Sequence, residues 1–318
     1  MFQPEKTIFV SPGQGSQKVG MGVEFFEHVH TKELFEMADD ALKFNLSKLM
    51  LEGDAEELSL TANTQPALLL TSYAAYAYLA KQTGKPLSEM ASMVAGHSLG
   101  EYASLAIAGA FSLETGLKLV RTRGEAMQKA VPAGKGGMLA VIGLSIDDVN
   151  VVAEESGIFV ANDNSDGQVV LSGEMAGVDK AVEIAKAKGA KRALKLPVSA
   201  PFHSPLMAPA ADVMQEALAQ AQIKDATVQV LCNVTASLET NAEILKANLI
   251  EQVTGSVRWR ESMIVAADKG VEQVIEIGTG KVLTGLTKRC DARLSGVTLN
   301  TPKEIDAWLE SLDKTAAA

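Results

Sequence analysis

The Gly-x-Ser-x-Gly motif at residues 96–100 constrains the fold of this chain most strongly. Residues 93–95 before it are typical of the end of a buried strand, and residues 99–108 predict a helix rich in small side chains. Glycines on either side let the strand and helix approach closely, and the tight turn between them pushes Ser98 into a cleft. Free N–H groups at the helix N-terminus would face negative charge developing on an attacked carbonyl. Ser98 is therefore a candidate nucleophile.

Strand and helix patterns alternate before and after this motif. The β-branched strand at residues 7–10 runs into residues 11–17, where Pro and Gly predict a loop whose backbone can lie close to a ligand. We expect helices at residues 23–41, 65–81, 113–130, 205–221, 241–252 and 260–269, strands at 228–231 and 271–277, and a last helical segment after residue 281. This alternation favours an α/β fold with a mainly parallel sheet.

The order of predicted strands and helices changes between residues 136 and 197. Strand, helix, strand, strand, helix and strand patterns follow one another at residues 138–144, 146–155, 158–161, 168–172, 176–188 and 193–197. This β-α-β-β-α-β order is the pattern of a ferredoxin-like unit, and residues 132–137 and 197–201 at its two ends are rich in Pro and Gly or Pro and Ser. The sequence therefore predicts a large α/β-hydrolase-like domain, residues 1–131 and 198–318, with an inserted ferredoxin-like subdomain, residues 132–197.

Net charge and cysteine content indicate which partners and which cellular compartment to expect. A net charge of −10 and the lack of a basic run with interleaved aromatics argue against nucleic acid. Two basic clusters, at residues 188–195 and 281–293, read more simply as solvated helix ends than as a docking face for an acidic partner. Cys232 and Cys290 are far apart without metal-ligand spacing, which favours buried thiols in a reducing cytosol.

No membrane or export segment is expected. The first six residues lack the progression of a signal peptide, and the longest apolar stretch, residues 66–80, is too short to span a bilayer. We therefore expect a cytoplasmic protein without membrane contact. The sequence shows no metal-binding pattern, so we expect no metal and no cofactor.

A nucleophilic serine needs a base, and the chain has only four histidines. His28 and His30 lie among Glu and Lys in an early helix, where surface positions are expected. His97 adjoins Ser98, so its side chain should point elsewhere from a sharp turn. His203, in a loop stiffened by two prolines, remains as the candidate base. No aspartate stands out to orient it, which suggests a dyad whose histidine is held by a backbone or amide oxygen.

Arg123 stands out on the helix expected at residues 113–130. Apolar residues form one stripe of this helix, and Arg123 falls at its edge, where an unpaired guanidinium would be costly. One interpretation is an arginine whose head reaches water. The other is a fork that grips a substrate carboxylate in two places. Periodicity alone does not separate them.

Several motifs together resemble the malonyl-CoA:acyl carrier protein transacylases. They occur in the family's order along nearly the whole chain: residues 12–17 (PGQGSQ), 64–68 (TQPAL), 96–102 (GHSLGEY), 120–124 (VRTRG), 162–165 (NDNS), 197–203 (PVSAPFH), 251–253 (EQV), 257–259 (VRW) and 280–286 (GKVLTGL).

The resemblance implies a role for each matching position. Ser98 would be the nucleophile and His203 the base, with the backbone N–H groups of Gln14 and Leu99 as the oxyanion hole. Arg123 would bind the malonyl carboxylate, the main-chain carbonyl of Gln252 would orient the histidine, and Gln168 would touch the substrate. The implied reaction is ping-pong transfer of malonyl from malonyl-CoA, a substrate, to the pantetheine thiol of acyl carrier protein, supplying fatty acid synthesis.

Other functions stay open at this point. A serine hydrolase or thioesterase shares the serine motif, although an α/β-hydrolase expects a late histidine after an acid, and a patatin-like lipase expects a Ser–Asp dyad. A non-catalytic carrier-protein adaptor would not need serine, histidine and arginine together. A malonyltransferase that serves a polyketide synthase in trans would carry the same motifs.

Overall fold

The strands of the chain form two separate sheets. The computed structural model describes residues 2–132, 134–198 and 200–316. In chain order its strands are β1 (Thr7–Ser11), β2 (Met93–Gly96), β3 (Gly136–Ile142), β4 (Phe159–Ser165), β5 (Gln168–Glu174), β6 (Arg192–Lys195), β7 (Gln229–Leu231), β8 (Leu238–Glu239), β9 (Gln273–Ile277) and β10 (Ser295–Leu299).

Helices precede and follow most strands. In chain order they are α1 (Val23–Glu27), α2 (Lys32–Leu42), α3 (Leu46–Glu52), α4 (Ala55–Ser59), α5 (Thr61–Thr83), α6 (Leu99–Ile107), α7 (Leu113–Lys129), α8 (Ile146–Ser156), α9 (Met175–Ala187), α10 (Ala208–Gln220), α11 (Ala242–Glu251), α12 (Trp259–Asp268), α13 (Val282–Cys290) and α14 (Pro302–Ala316).

The larger sheet has the order β10-β9-β1-β2-β7-β8. Its neighbours are parallel except for the short antiparallel pair β7–β8. Side chains of β1 alternate between two apolar clusters: Phe9 packs with α5, α6 and α7, whereas Ile8 and Val10 pack with Trp259 and Leu283 of α12 and α13. The sheet is thus covered by helices on both faces, and the expected α/β fold with a mainly parallel sheet is confirmed.

The smaller sheet is antiparallel, with the order β4-β5-β3-β6. Helices α8 and α9 cover it and enclose an apolar cluster of their own that includes Leu139, Val149 and Val178. This is the expected ferredoxin-like β-α-β-β-α-β arrangement. The exact domain boundaries at residues 132 and 197 stay a prediction, and Ala133 and Ser199 in the two linkers lie outside the described residues.

The single helix expected at residues 23–41 is wrong. The chain forms two helices, α1 and α2, because it turns between them: Val29 is 78% exposed, and the Thr31 hydroxyl donates a hydrogen bond to the Phe25 carbonyl. The apolar spacing continues across the turn, since Phe25 and Phe35 are both buried. The spacing of apolar residues therefore follows the buried face and does not reveal the break between α1 and α2. No helix or strand was expected at residues 46–59 or 295–316, where the structure has α3, α4, β10 and α14.

The crossing of β2 and α6 places Ser98. A Cβ atom on Gly96 would lie 1.9 Å from the carbonyl of Gly100, and one on Gly100 would lie 2.2 Å from the Ser11 carbonyl oxygen. Only glycine permits this approach of strand to helix. The crossing leaves Ser98 at φ 53°, a left-handed backbone conformation that non-glycine residues rarely adopt. The expectation of a tight strand-turn-helix unit is confirmed.

We expect Gly96→Ala to lower the free energy of unfolding by about 3 kcal/mol or more, because the new methyl group meets backbone that cannot move aside. The matched control is Gly285→Ala in α13, where an added Cβ would meet nothing within 4 Å. The control should raise stability by about 0.5–1 kcal/mol, as alanine is the better helix former. Urea titration followed by circular dichroism measures both changes; equal stability of the two variants would contradict the close-crossing explanation.

Candidate active site

Three neighbouring strands of the larger sheet end at the same edge. The loop after β1 carries Gln14, the turn after β2 carries Ser98, and Asn233 is the second residue after β7. The carboxyl ends of parallel strands form a common rim where polar groups converge. Asn233 accepts a hydrogen bond from the Ser98 N–H at 2.7 Å and donates one to the Gly96 carbonyl at 2.7 Å, so it fastens the serine turn from both sides.

His203 meets Ser98 across the site. The distance from Ser98 Oγ to His203 Nε2 is 2.8 Å. On the other side of the ring, Nδ1 lies 2.9 Å from the Gln252 carbonyl oxygen and 3.2 Å from that of Gly255. Because carbonyl oxygens only accept, Nδ1 carries the proton and Nε2 is free to accept the serine proton. Backbone oxygens thus occupy the place where a triad has its carboxylate, as the sequence led us to expect.

The surroundings of His203 keep its ring neutral. The side chain is 4% exposed, and burial lowers its pKa to about 3, with the positive charge of Arg123 adding to the effect. The residue also has φ 56°, a left-handed conformation. The following Ser204 hydroxyl donates to the Pro201 carbonyl at 2.7 Å and helps to hold the loop. The His203 ring is therefore neutral and held in a strained loop by hydrogen bonds, with Nε2 facing Ser98.

Arg123 lies inside the protein, so the interpretation with its head in water is wrong. The residue is 1% exposed and its guanidinium lies over the Tyr102 ring. Nη1 donates to Gln65 Oε1 at 3.0 Å, while Nη2 donates to Ser98 Oγ at 3.1 Å and to Gln252 Oε1 at 2.9 Å. Every one of these acceptors is neutral, and Nε has no acceptor among the described residues. A buried cation with neutral partners beside the nucleophile favours the binding of an anion.

A small cavity of about 120 Å³ joins these groups. Both residues expected to form an oxyanion hole line it, together with the serine, the histidine and the arginine. Met138 and Asn162 reach it from the smaller sheet, so both sheets contribute to its wall. The full lining is Gln14, Gln65, His97, Ser98, Leu99, Arg123, Met127, Met138, Asn162, Leu196, Val198, Phe202 and His203.

Two expected site residues, Gln168 and Gln252, do not line this cavity; Gln252 contacts His203 and Arg123 from behind, whereas Gln168 contacts neither. Gln168 is the first residue of β5, and its side-chain oxygen accepts a hydrogen bond from Arg289 at 3.1 Å. His97, expected in a packing role, lines the cavity, and its Nε2 lies 2.7 Å from Asn164 Oδ1, away from the serine proton path. Burial lowers the pKa of His97 as well, so this ring is also neutral. Contact of Gln168 with a substrate stays a prediction.

Sequence reasoning missed three residues that hold the site: Gln65, Glu101 and Asn233. Gln65 and Glu101 stand within quoted motifs, yet nothing in their spacing indicates that both reach Arg123 or its partner. The usable signal for Asn233 was its place two residues after a strand of the parallel sheet, at the rim where polar groups converge.

Within residues 2–132, 134–198 and 200–316, no cluster of three or more His, Cys, Asp or Glu side chains has the arrangement to hold a metal ion. No helix in those ranges combines the length and apolar character needed to cross a bilayer.

The fold and the serine–histidine site define an acyltransferase of the serine-ester type. Residues 8–293 match the acyl transferase domain family. The malonyl CoA-acyl carrier protein transacylase of Bacillus subtilis is 46% identical over 313 residues, covering 96% of this chain and 97% of the relative. That of Escherichia coli K12 is 44% identical, covering 95% and 98%. The chain belongs to the malonyl-CoA:acyl carrier protein transacylase family.

Solved structures agree with this placement. The acyl-carrier-protein S-malonyltransferase of Bartonella henselae superimposes with a TM-score of 0.93 at 46% identity, covering 96% of this chain and 99% of that one. A malonyl-transacylase solved in complex with a type II polyketide acyl-carrier protein superimposes with a TM-score of 0.92 at 38% identity, covering 96% and 99%. The backbone fold is thus shared with malonyltransferases, one of which is described in complex with a type II polyketide carrier protein.

The lowered pKa of His203 predicts how Ser98 reactivity depends on pH. A free imidazole loses its basic form as the pH falls through about 6.5, whereas His203 stays neutral well below that value. The rate at which a fluorophosphonate labels Ser98 should therefore stay nearly constant from neutral pH down to pH 5. Mass spectrometry of quenched samples measures this rate. Arg123→Ala should move the acid limb to higher pH, because it removes one cause of the shift; half-loss near pH 6.5 in the unmodified protein would contradict the assignment.

Proposed function

We propose that this protein transfers a malonyl group from malonyl-CoA to the pantetheine thiol of acyl carrier protein, through an ester on Ser98, and that it supplies fatty acid synthesis. The observation that carries the proposal is the buried Arg123 guanidinium, 3.1 Å from the nucleophilic oxygen. A malonyl group ends in a carboxylate, which would give the guanidinium the anionic partner it lacks. An acetyl group would leave this buried charge unpaired, so the site discriminates between them.

His203 supplies the base in both half-reactions. In the first, its Nε2 takes the Ser98 proton while Oγ bonds to the thioester carbonyl carbon; the carbon–sulfur bond then breaks, and the coenzyme A thiolate leaves with the proton. In the second, the carrier-protein thiol gives its proton to the same nitrogen and attacks the seryl ester. The Ser98 oxygen then leaves and recovers the proton. Atoms and charges balance without any further reactant.

The oxyanion hole is the second catalytic element of the proposal. The backbone N–H groups of Gln14 and Leu99 are its donors, since both residues line the cavity and Leu99 begins α6. Donors of this kind are each worth about 3 kcal/mol of barrier. The positive end of the α6 dipole adds to the same stabilisation. Gln168 is proposed to touch the substrate outside this cavity.

A cytoplasmic location forms part of the proposal. Cys232 and Cys290 are both buried and form no disulfide, which fits a reducing compartment.

Polyketide synthesis is the second candidate pathway, because one relative of the same fold is described in complex with a type II polyketide carrier protein. Comparing fatty acid and polyketide carrier proteins as acceptors separates the two.

Incubation with malonyl-CoA should add one malonyl group to the protein, on Ser98. Intact-mass analysis and peptide mapping detect the adduct, and Ser98→Ala should remain unmodified. Holo acyl carrier protein should discharge the adduct much faster than water does, because the enzyme transfers the group to a thiol. Discharge by water at the same rate would instead identify a hydrolase.

Arg123→Ala should lower kcat/KM for malonyl transfer by about 100-fold or more, because loss of one partner of a buried ion pair is expensive. Acetyl transfer should be kept or increased. Arg121→Ala is the matched control: it removes the same charge from the same helix, but Arg121 is half-buried and pairs with Glu125. Steady-state kinetics with both acyl-CoA substrates measure the ratio; an unchanged malonyl preference in Arg123→Ala would refute the role of Arg123.

A further inference from the structure

A buried carboxylate lies directly behind the candidate active site. Glu101, on the first turn of α6, is 1% exposed, and it forms no direct ion pair with Arg123 in the described structure. Its Oε2 accepts two hydrogen bonds, one from Gln252 Nε2 at 2.7 Å and one from the Asn233 N–H at 3.1 Å. The mechanism above does not use this group, although burying a carboxyl group is costly.

The contacts of Glu101 determine which way the Gln252 amide faces. Gln252 Nε2 donates to Glu101 Oε2 and to the Ser98 carbonyl at 3.0 Å; the carbonyl only accepts, and Oε2 also accepts from the Asn233 N–H. On its other side the amide meets Arg123, whose guanidinium only donates. The reverse orientation would bring donor against donor and acceptor against acceptor. Gln252 Oε1 must therefore face Arg123.

Gln252 in turn holds Arg123 toward the nucleophile. The same Nη2 that donates to Gln252 Oε1 donates to Ser98 Oγ. Given the malonyl transfer proposed above, we propose that Glu101 is a positioning residue: it fixes the Gln252 amide, and through it aims the Arg123 guanidinium at the acyl group on Ser98. The chain of contacts runs from carboxylate to amide to guanidinium, and each link is a hydrogen bond of 2.9 Å or less.

Two effects of Glu101 can be separated, its position as an acceptor and its negative charge. Burial raises the pKa of Glu101 to about 7, so the neutral acid is populated near neutral pH. A glutamine at this position has the same shape as the neutral acid. Its carbonyl oxygen would take the place of Oε2, because two N–H donors point there. Hydrogen-bond geometry therefore carries the effect, and charge does not.

Glu101→Gln and Glu101→Asp test this directly. Glu101→Gln keeps the acceptor in place and loses the charge, so malonyl transfer should stay within about threefold of the unmodified enzyme. Glu101→Asp keeps the charge but is one methylene shorter and cannot reach Gln252. It should lower kcat/KM for malonyl-CoA by about 10- to 100-fold, as misplacement of an aligned group does, with acetyl transfer changed little. Steady-state kinetics with both substrates give the malonyl-to-acetyl ratio.

Ser104→Ala is the matched control. Ser104 is equally buried one turn further along α6 and donates to the Ala95 carbonyl, away from Gln252. It should lower stability without changing the ratio. Thermal unfolding reports whether each variant folds, and Glu101→Ala, which removes the acceptor altogether, gives a second reading should Glu101→Asp fail to fold.

The outcomes separate this proposal from the proposed function. If the unmodified enzyme transfers malonyl but Glu101→Asp keeps its malonyl-to-acetyl ratio, or loses both transfers equally, the positioning role is overturned alone. Greater loss in Glu101→Gln than in Glu101→Asp would show that charge acts and would also overturn it. In an Arg123→Ala background, Glu101→Asp should cause no further loss of malonyl transfer, because Glu101 acts only through its effect on Arg123. Absence of malonyl transfer in the unmodified enzyme would instead contradict the proposed function.

Discussion

The active site depends on how Gln252 joins the base to the cation. Its main-chain carbonyl accepts from His203 Nδ1, and its side chain accepts from Arg123. One residue thus sets the protonation pattern of the imidazole and the direction of the guanidinium. Both then converge on Ser98 Oγ, at 2.8 and 3.1 Å. A shift of Gln252 would misplace proton transfer and carboxylate binding together.

The guanidinium adds to the effect of burial, which makes His203 a weak base before substrate arrives. Burial and the charge of Arg123 both lower the pKa of His203. A malonyl carboxylate paired with Arg123 would remove the second cause, so the histidine becomes a better proton acceptor when the correct acyl group is bound. Acetyl brings no such charge. The ion pair that we propose selects the substrate would therefore also assist the proton transfer, which would couple specificity to catalysis through electrostatics.

The elements of the fold differ in how far the sequence predicts them. The alternation of strands and helices, the ferredoxin-like unit and the turn at Ser98 follow from local periodicity and from glycines that only a close crossing requires. The break between α1 and α2 was not visible, because the buried face continues from Phe25 to Phe35 across it. The short edge strand β10 has five residues, of which two are exposed and one is buried, so its sequence shows no clear alternation; pairing with β9 stabilises it as a strand.

By itself the sequence determined the candidate nucleophile, base and cation, because Ser98 lies in a turn whose steric demands are local and only four histidines are available as the base. Only the tertiary structure decided that Arg123 is buried, and which groups hold it. Gln252 lies 129 residues from Arg123 and 151 from Glu101 along the chain. These contacts arise because the fold brings the end of α11 against α6 and α7, and no local spacing encodes which side chains meet there.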